Sequence, residues 1–180
     1  MSKVFFISDT HFLHENIIKY TGRPLNHNKL MVENWNNTVS KDDYVFHIGD
    51  FSAGVNKVPQ GFEKLKKIAN MLNGTKYLIK GNHDHYSDDV YTKELGFESV
   101  NDYIIYKDYF LCHYSLNIDK YTENRHIESF EKLNQIFMKS NAKFIVHGHS
   151  HTTKFEGKIN VSVEQINFTP IQEENLLSIL

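Results

Sequence analysis

Five short polar stretches of this 180-residue chain need explaining together, because their residue types can do chemistry: Asp9-Thr10-His11, Gly49-Asp50, Gly81-Asn82-His83-Asp84, His113 and Gly148-His149-Ser150-His151. Together they offer three carboxylates, five imidazoles and one amide. Carboxylates held close together repel and raise one another's pKa, and buried imidazoles lose hydration; divalent cations offset both costs by accepting the lone pairs. The set therefore asks for metal. It exceeds the three or four protein ligands that one catalytic ion takes, which favours two ions with a carboxylate between them. In an extended segment, Asp-x-His puts side chains i and i+2 on one side, so Asp9 and His11 can reach the same ion, and His149 and His151 repeat that spacing. Gly49, Gly81 and Gly148 stand where a backbone must turn sharply or approach a ligand closely.

Each stretch lies at the end of a short apolar run of strand type: Lys3 to Ser8, Tyr44 to Ile48, Lys76 to Lys80, Tyr109 to His113 and Lys143 to His147. Between the runs, Lys29 to Val39, Phe62 to Leu72, Asp88 to Leu95 and Glu128 to Met138 carry apolar residues at helical spacing. This alternation predicts an α/β fold around a mostly parallel sheet, made mixed by a hairpin of Val100 to Ile105 with Tyr109 to Cys112. A second hairpin is expected of Thr152 to Glu156 and Lys158 to Val163 around Gly157, while Ile166 to Leu180 is weakly patterned. The polar stretches recur at roughly the length of one strand-helix-strand unit. Successive strands then deliver them to one edge, in the crevice at the carboxyl ends where open α/β sheets bind ligands.

The composition narrows the partners. With 20 Lys+Arg against 22 Asp+Glu and a net charge of -2, the chain is no coat for a phosphate backbone, so no stable nucleic-acid partner is expected. Cys112 is the only cysteine, which excludes an internal disulfide framework and fits a reducing compartment. The run Val4-Phe5-Phe6-Ile7 is too short for a signal-peptide core or a membrane span. A single domain over residues 1–180, in the cytoplasm and without a membrane partner, is the expectation. Two further residues are candidates for binding substrate. An arginine fork suits phosphate, which singles out Arg23 against a surface or ion-pairing role; His14, three residues after His11, stands against a helix-start histidine with no chemical task. His47 and His147 are expected beneath the cleft, His27, His85 and His126 at the surface, and Cys112, Met31 and Trp35 in the core. The variable loops Phe51 to Gln60 and Asn117 to Ile127 are where selectivity is expected.

In this order the motifs D-x-H, G-D, G-N-H-D, H and G-H-x-H resemble the calcineurin-like metallophosphoesterase superfamily, over Asp9 to His151. The opening Ser8-Asp9-Thr10-His11-Phe12-Leu13-His14-Glu15-Asn16-Ile17-Ile18, with Tyr20 and Arg23-Pro24, is similar to a subgroup of short bacterial and phage-encoded members. The resemblance implies an α/β/β/α sandwich of mixed β-sheets flanked by helices. It implies one ion held by Asp9, His11, Asp50 and His151 and a second held by Asp50, Asn82, His113 and His149. His83 matches the family's catalytic histidine, and Asp84 either orients it or stabilises the loop. The Val-Asp-Arg-Gly continuation that gives some branches a phosphate-binding arginine is replaced by Phe51-Ser52-Ala53-Gly54.

The chemistry so implied is phosphoester hydrolysis by a metal-bridging hydroxide, with His83 stabilising charge or protonating the leaving oxygen. Mixed imidazole, carboxylate and amide donors suit Mn, Fe, Zn, Co or Ni over Ca, and Mn is the first choice. The favoured substrate is a phosphodiester, including a nucleotide or short nucleic acid. A phosphomonoesterase acting on a nucleotide or sugar phosphate and a non-catalytic metal-binding scaffold are the alternatives.

Overall fold

The apolar runs pair into two sheets rather than one. The computed structural model describes residues 1–116 and 124–180, with side chains in the second segment from 127 onward. Its strands are β1 (Val4–Ile7), β2 (Tyr44–His47), β3 (Thr75–Ile79), β4 (Phe97–Asn101), β5 (Tyr103–Tyr106), β6 (Tyr109–Cys112), β7 (Phe144–His147), β8 (Lys158–Asn160) and β9 (Ile171–Gln172). One sheet has the order β4-β3-β2-β1-β9, parallel except for β9, and the other the order β5-β6-β7-β8, parallel except where β5 meets β6.

The period-2 alternation of side chains along a strand explains how the sheets stack. Phe6 of β1 and Phe46 of β2 point at the second sheet, where Phe46 meets the ring of Tyr106 at 5.1 Å and Phe6 meets those of Tyr106 and Tyr109 at 6.1 and 6.3 Å. The next residue along β2, His47, turns to the other face and stacks on Trp35 at 6.5 Å. The helices α1 (Ile17–Thr21), α2 (His27–Thr38), α3 (Gly61–Met71) and α4 (Asn124–Lys139) follow. Met31 and Trp35 of α2 and Leu65 and Ala69 of α3 join the core around the first sheet. Phe130 and Leu133 of α4 pack with Phe110, Cys112 and Ile145 on the outer face of the second. The result is the helix-sheet-sheet-helix sandwich that the motifs led one to expect.

Several local expectations change. The run from Val100 to Ile105 is broken at Asp102: Val100 and Asn101 finish β4 in the first sheet, and Tyr103 opens β5 in the second. The chain switches sheets there, so only Tyr103 to Tyr106 forms the hairpin with β6. No hairpin forms around Gly157, because Thr152 to Glu156 is loop and β8 pairs parallel with β7 instead. Phe155 in that loop packs its ring against His147 at 5.9 Å. The expected helix Asp88 to Leu95 is mainly a single π turn, Val90–Glu94, which buries Tyr91. The weakly patterned tail supplies β9 and a 3₁₀ turn, Glu173–Ile179, that buries Leu176. His27, expected at the surface, is 1% exposed at the start of α2. The selectivity loop at 117–123 and the side chain of His126 lie outside the described residues. No helix among the described residues is long and apolar enough to cross a membrane.

Burial holds His47 and His147 neutral, pushing them down to about 3 and about 4 from 6.5. The unfolded chain binds those protons below pH 6.5 and the folded chain refuses them, so stability is lost as pH falls through that window. Each such histidine steepens the loss by about 1.4 kcal/mol per pH unit. In urea titrations between pH 6.5 and 4, His47→Gln is expected to flatten the slope by that amount; an unchanged slope would show that His47 takes its proton in the fold.

Candidate metal centre

All five polar stretches meet where the parallel strands of both sheets end. The approach is not by extended strand. β1 stops at Ile7, and Ser8 bonds across to the second sheet, its N–H to Val161 O at 2.9 Å and its carbonyl to the Val163 N–H at 3.1 Å. Beyond it the chain enters the left-handed region, with φ of 58° at Asp9, 46° at His11, 56° at Asp50, 64° at His149 and 44° at His151. The i, i+2 geometry read from the sequence is therefore replaced by turns, and Asp, Asn and His are the side chains that tolerate this conformation best after glycine. Main-chain bonds lock the turns together: the N–H groups of Asp9, His11 and Phe12 donate to the carbonyls of Gly49, Asp50 and Phe51, each at 3.0 Å.

The turns gather donor atoms into two triads, Asp9 with His11 and His151, and Asp50 with His113 and His149, the atoms of each lying within 4.8 Å of one another. Each triad draws from both sheets. Asp50 Oδ2 joins them, lying 3.4 Å from His11 Nε2 and 3.4 Å from His113 Nε2. Asp9 Oδ1 is 3.8 Å from His11 Nε2 and 3.9 Å from His151 Nε2. These spacings exceed good hydrogen bonds but approach the ~3.4 Å between two atoms that share one tetrahedral ion at ~2.1 Å bond lengths. Both ring nitrogens of His11 are buried without a hydrogen-bond partner, a cost that a cation at Nε2 would remove. Asn82 Oδ1 adjoins the second triad, 3.2 Å from His113 Nε2. The donor set fits a pair of divalent ions.

The electrostatics put the two carboxylates and His11 in their ligating forms, whereas His113 and His151 keep a proton that a cation would displace. Burial alone would raise the Asp9 and Asp50 carboxyls, but the surrounding imidazoles, His113 foremost, outweigh it and hold both below the usual carboxylate range. Burial pushes His11 down to about 3 and leaves it neutral. The same burial is overcome at His113, which Asp50 and Asp9 hold up to about 10, and at His151, raised by its bond to Glu164.

Arg23 and Asp84 each occupy the structural one of the two places the sequence left open to them. Arg23 is no open phosphate fork: its side chain has no exposure, Nε and Nη2 bond Glu164 Oε1 at 2.8 and 2.7 Å, and Nη1 and Nη2 donate to the carbonyls of Thr10 and Asp9 at 2.8 and 2.6 Å. It braces the first loop because the left-handed turn aims those carbonyls inward. Asp84 accepts the N–H groups of Asp50, Phe51 and Gly81 at 2.7, 3.1 and 2.9 Å and the Tyr91 hydroxyl at 3.2 Å. Those bonds are the ones a loop-stabilising carboxylate makes. Burial and Asp50 push it up to about 6.

His83 and His14 lie at the open side of the first triad. The His83 ring is exposed and 5.2 Å from that of His11, and its main-chain N–H donates to Asp50 Oδ1 at 2.8 Å. His14 is half-buried, 5.6 Å from His11 and 6.4 Å from His83 between ring centroids, and burial lowers its pKa. His47 and His147 pack beneath, the former bonded to Thr10 Oγ1 at 2.9 Å. Sequence reasoning missed Ser162, whose hydroxyl donates to Asp9 Oδ2 at 2.9 Å, and Glu164, which accepts from both Arg23 and His151. Their one signal was position, just past an apolar run in the segment read as a hairpin.

A two-sheet sandwich with paired donor triads at its strand ends defines a class of metal-dependent hydrolase. The model of the calcineurin-like phosphoesterase superfamily domain matches residues 2–167, and the chain belongs to that superfamily as a metal-dependent phosphoesterase. An uncharacterised protein of Methanocaldococcus jannaschii is 31% identical over 198 residues, covering 100% of this chain and 92% of that protein. The gene 66 protein of Mycobacterium phage L5 is 28% identical over 173 residues, 84% of this chain and 79% of its own. A protein of unknown function from Aquifex aeolicus, known from its crystal structure, superimposes with a TM-score of 0.79 at 31% identity over 100% of both chains.

Gly81 has ordinary backbone angles, yet a Cβ there would overlap Asp50 Oδ1 and the Asp50 main chain. Gly81→Ala is expected to fold and to bind Mn at least about tenfold more weakly, because the carboxylate between the triads must move. Manganese at a hundredfold its dissociation constant should stabilise the parent by about 2.7 kcal/mol. Calorimetry with and without Mn measures both effects, and equal metal affinity in the two proteins would contradict this account of Gly81.

Proposed function

We propose that the protein hydrolyses phosphodiesters with two divalent ions, Mn in the first place, one held by Asp9, His11, Asp50 and His151 and the other by Asp50, Asn82, His113 and His149. The observation that carries this reading is the position of Asp50 Oδ2, equidistant at 3.4 Å from an imidazole of each triad. When bound, such ions supply Lewis acidity toward phosphoryl oxygens and an activated water nucleophile at neutral pH.

The chain's own groups do the rest. His83, tethered through its N–H to Asp50 Oδ1, points its ring to the open side and donates a proton or hydrogen bond to the departing oxygen. His14 sits beside it and contacts the phosphoryl group or its substituent. Asp84 and Arg23 hold the loops so that neither ligand set relaxes.

Charge supports a diester over a monoester. A diester carries one negative charge, whereas a monoester at neutral pH approaches two and asks for further cations. Arg23 is committed to Glu164 and two carbonyls, and the residue after Asp50 is a buried Phe51 in place of a route to an arginine.

With Mn, an activated aryl phosphodiester is expected to turn over at least about tenfold faster, by kcat/KM, than the matching monoester. Faster monoester hydrolysis would reverse the assignment. His83→Ala should lower kcat by about 10² to 10⁴ while metal analysis still finds two ions per chain. Loss of metal in that variant would make His83 a ligand instead, and Asp50→Asn should deplete both ions together.

A further inference from the structure

On the side of the second triad, a cleft of about 300 Å³ runs between Gly81, the point where the chain crosses from one sheet to the other, and the face of α4. Its walls are aromatic and apolar: Tyr103, Tyr114, Leu133 and Ile136. Tyr114 ties the cleft to the triad, since its ring lies 5.1 Å from that of His113 and 5.0 Å from that of His149. Both tyrosines are fixed from behind, Tyr103 stacked on Phe110 at 5.3 Å and 15° and Tyr114 packed on Phe130 at 4.6 Å. The rim is polar and of both signs, with Asp102 and Lys132 exposed on opposite sides of the lining, one from the sheet crossing and one from α4.

We propose that this cleft receives the nucleobase of a nucleotide diester whose phosphorus faces the two triads. The proposal rests on the phosphodiesterase reading above and names its substrate class. Immobilised tyrosine rings and branched aliphatic side chains offer a platform to a flat π system, which stacks with little regard to base identity. A base edge carries both donors and acceptors, and a carboxylate with an ammonium at the rim answers both. A lipid chain would find those charges in its way. The near-neutral net charge of -2 points to a small nucleotide ester rather than a long strand, whose binding draws on many cations.

The test compares two diesters with the same leaving group, the p-nitrophenyl ester of thymidine 5′-monophosphate and methyl p-nitrophenyl phosphate. In the Mn-loaded parent, kcat/KM is expected to be at least about tenfold higher for the nucleoside ester. Ile136→Trp, which fills the cleft, should bring the two esters to within about threefold and leave the methyl ester within about twofold of the parent. Lys132→Glu, a substitution at an exposed position, should reduce the preference without touching the packing. Equal rates in the parent, or a preference that survives Ile136→Trp, would overturn the cleft while leaving the phosphodiesterase reading intact. A binding readout needs no turnover: the Leu133 and Ile136 methyl resonances should shift with thymidine 5′-monophosphate and not with inorganic phosphate. If neither ester is hydrolysed, the phosphodiesterase reading fails and those resonances decide the cleft alone; methyl groups that ignore the nucleotide overturn it.

Discussion

A carboxylate with almost no water around it, set between imidazoles from two different sheets, governs how the rest of the molecule is built. Asp50 is 2% exposed, and its Oδ1 is satisfied by the His83 N–H, which leaves Oδ2 facing His11 and His113. Burying such a charge costs several kcal/mol unless opposite charge and hydrogen bonds surround it. One sheet alone could not provide that surrounding. Asp9, Asp50 and Asn82 follow strands of the first sheet and His113, His149 and His151 follow strands of the second, so the sandwich must close before the charge is compensated. The aromatic contacts of Phe6 and Phe46 with Tyr106 and Tyr109 hold the sheets together beneath the centre.

The second condition is conformational. Left-handed backbone at a residue other than glycine costs roughly 1 kcal/mol or more, and at five of the donor residues the structure accepts it. Compensation comes from groups that bond to those same turns. The Asp9 and Thr10 carbonyls are met by Arg23, the Asp50 N–H by Asp84, and the His149 N–H by Asp9 itself at 3.0 Å. The strained residues thus support one another. A change at one brace is felt at donors belonging to both triads, which is why Asp84 matters although its oxygens face main chain and a tyrosine.

How far the sequence disclosed this follows from the range of the interactions involved. The parallel strands and three of the helices were legible because burial imposes a local period, as in Phe62, Leu65 and Ala69 along α3. The donors were legible because five clusters of metal-type residues at strand ends have little other use. What escaped was non-local. Whether Val100 belongs with β5 or in a separate strand depends on a sheet switch at Asp102, and nothing within a few residues distinguishes the two. The partner of Arg23 is 141 residues away at Glu164, beyond the reach of spacing arguments. His27 reads as a polar residue between Asn26 and Asn28, and only the packing of α2 reveals that it is enclosed. The left-handed turns are likewise invisible to a pattern of residue types, since D-x-H fits an extended strand equally well.

On the proposed reading, Arg23 is a brace that also bears on selectivity. A guanidinium on the surface of the cleft would draw dianionic substrates toward the triads. Placed inside, with its donors bound to Glu164 and to the carbonyls of the first loop, it lends positive charge to the fold of the centre while offering no fork to a phosphate. On the proposed reading, the imidazoles of His83 and His14 are then what an ester would meet at the open side. On that reading, the side chain that braces the loop at Asp9 and Thr10 leaves recognition to contacts with the ester's substituents. For a substrate of low charge, discrimination would come from the walls beside the phosphorus, and among the described residues Tyr114 is one such wall at the second triad.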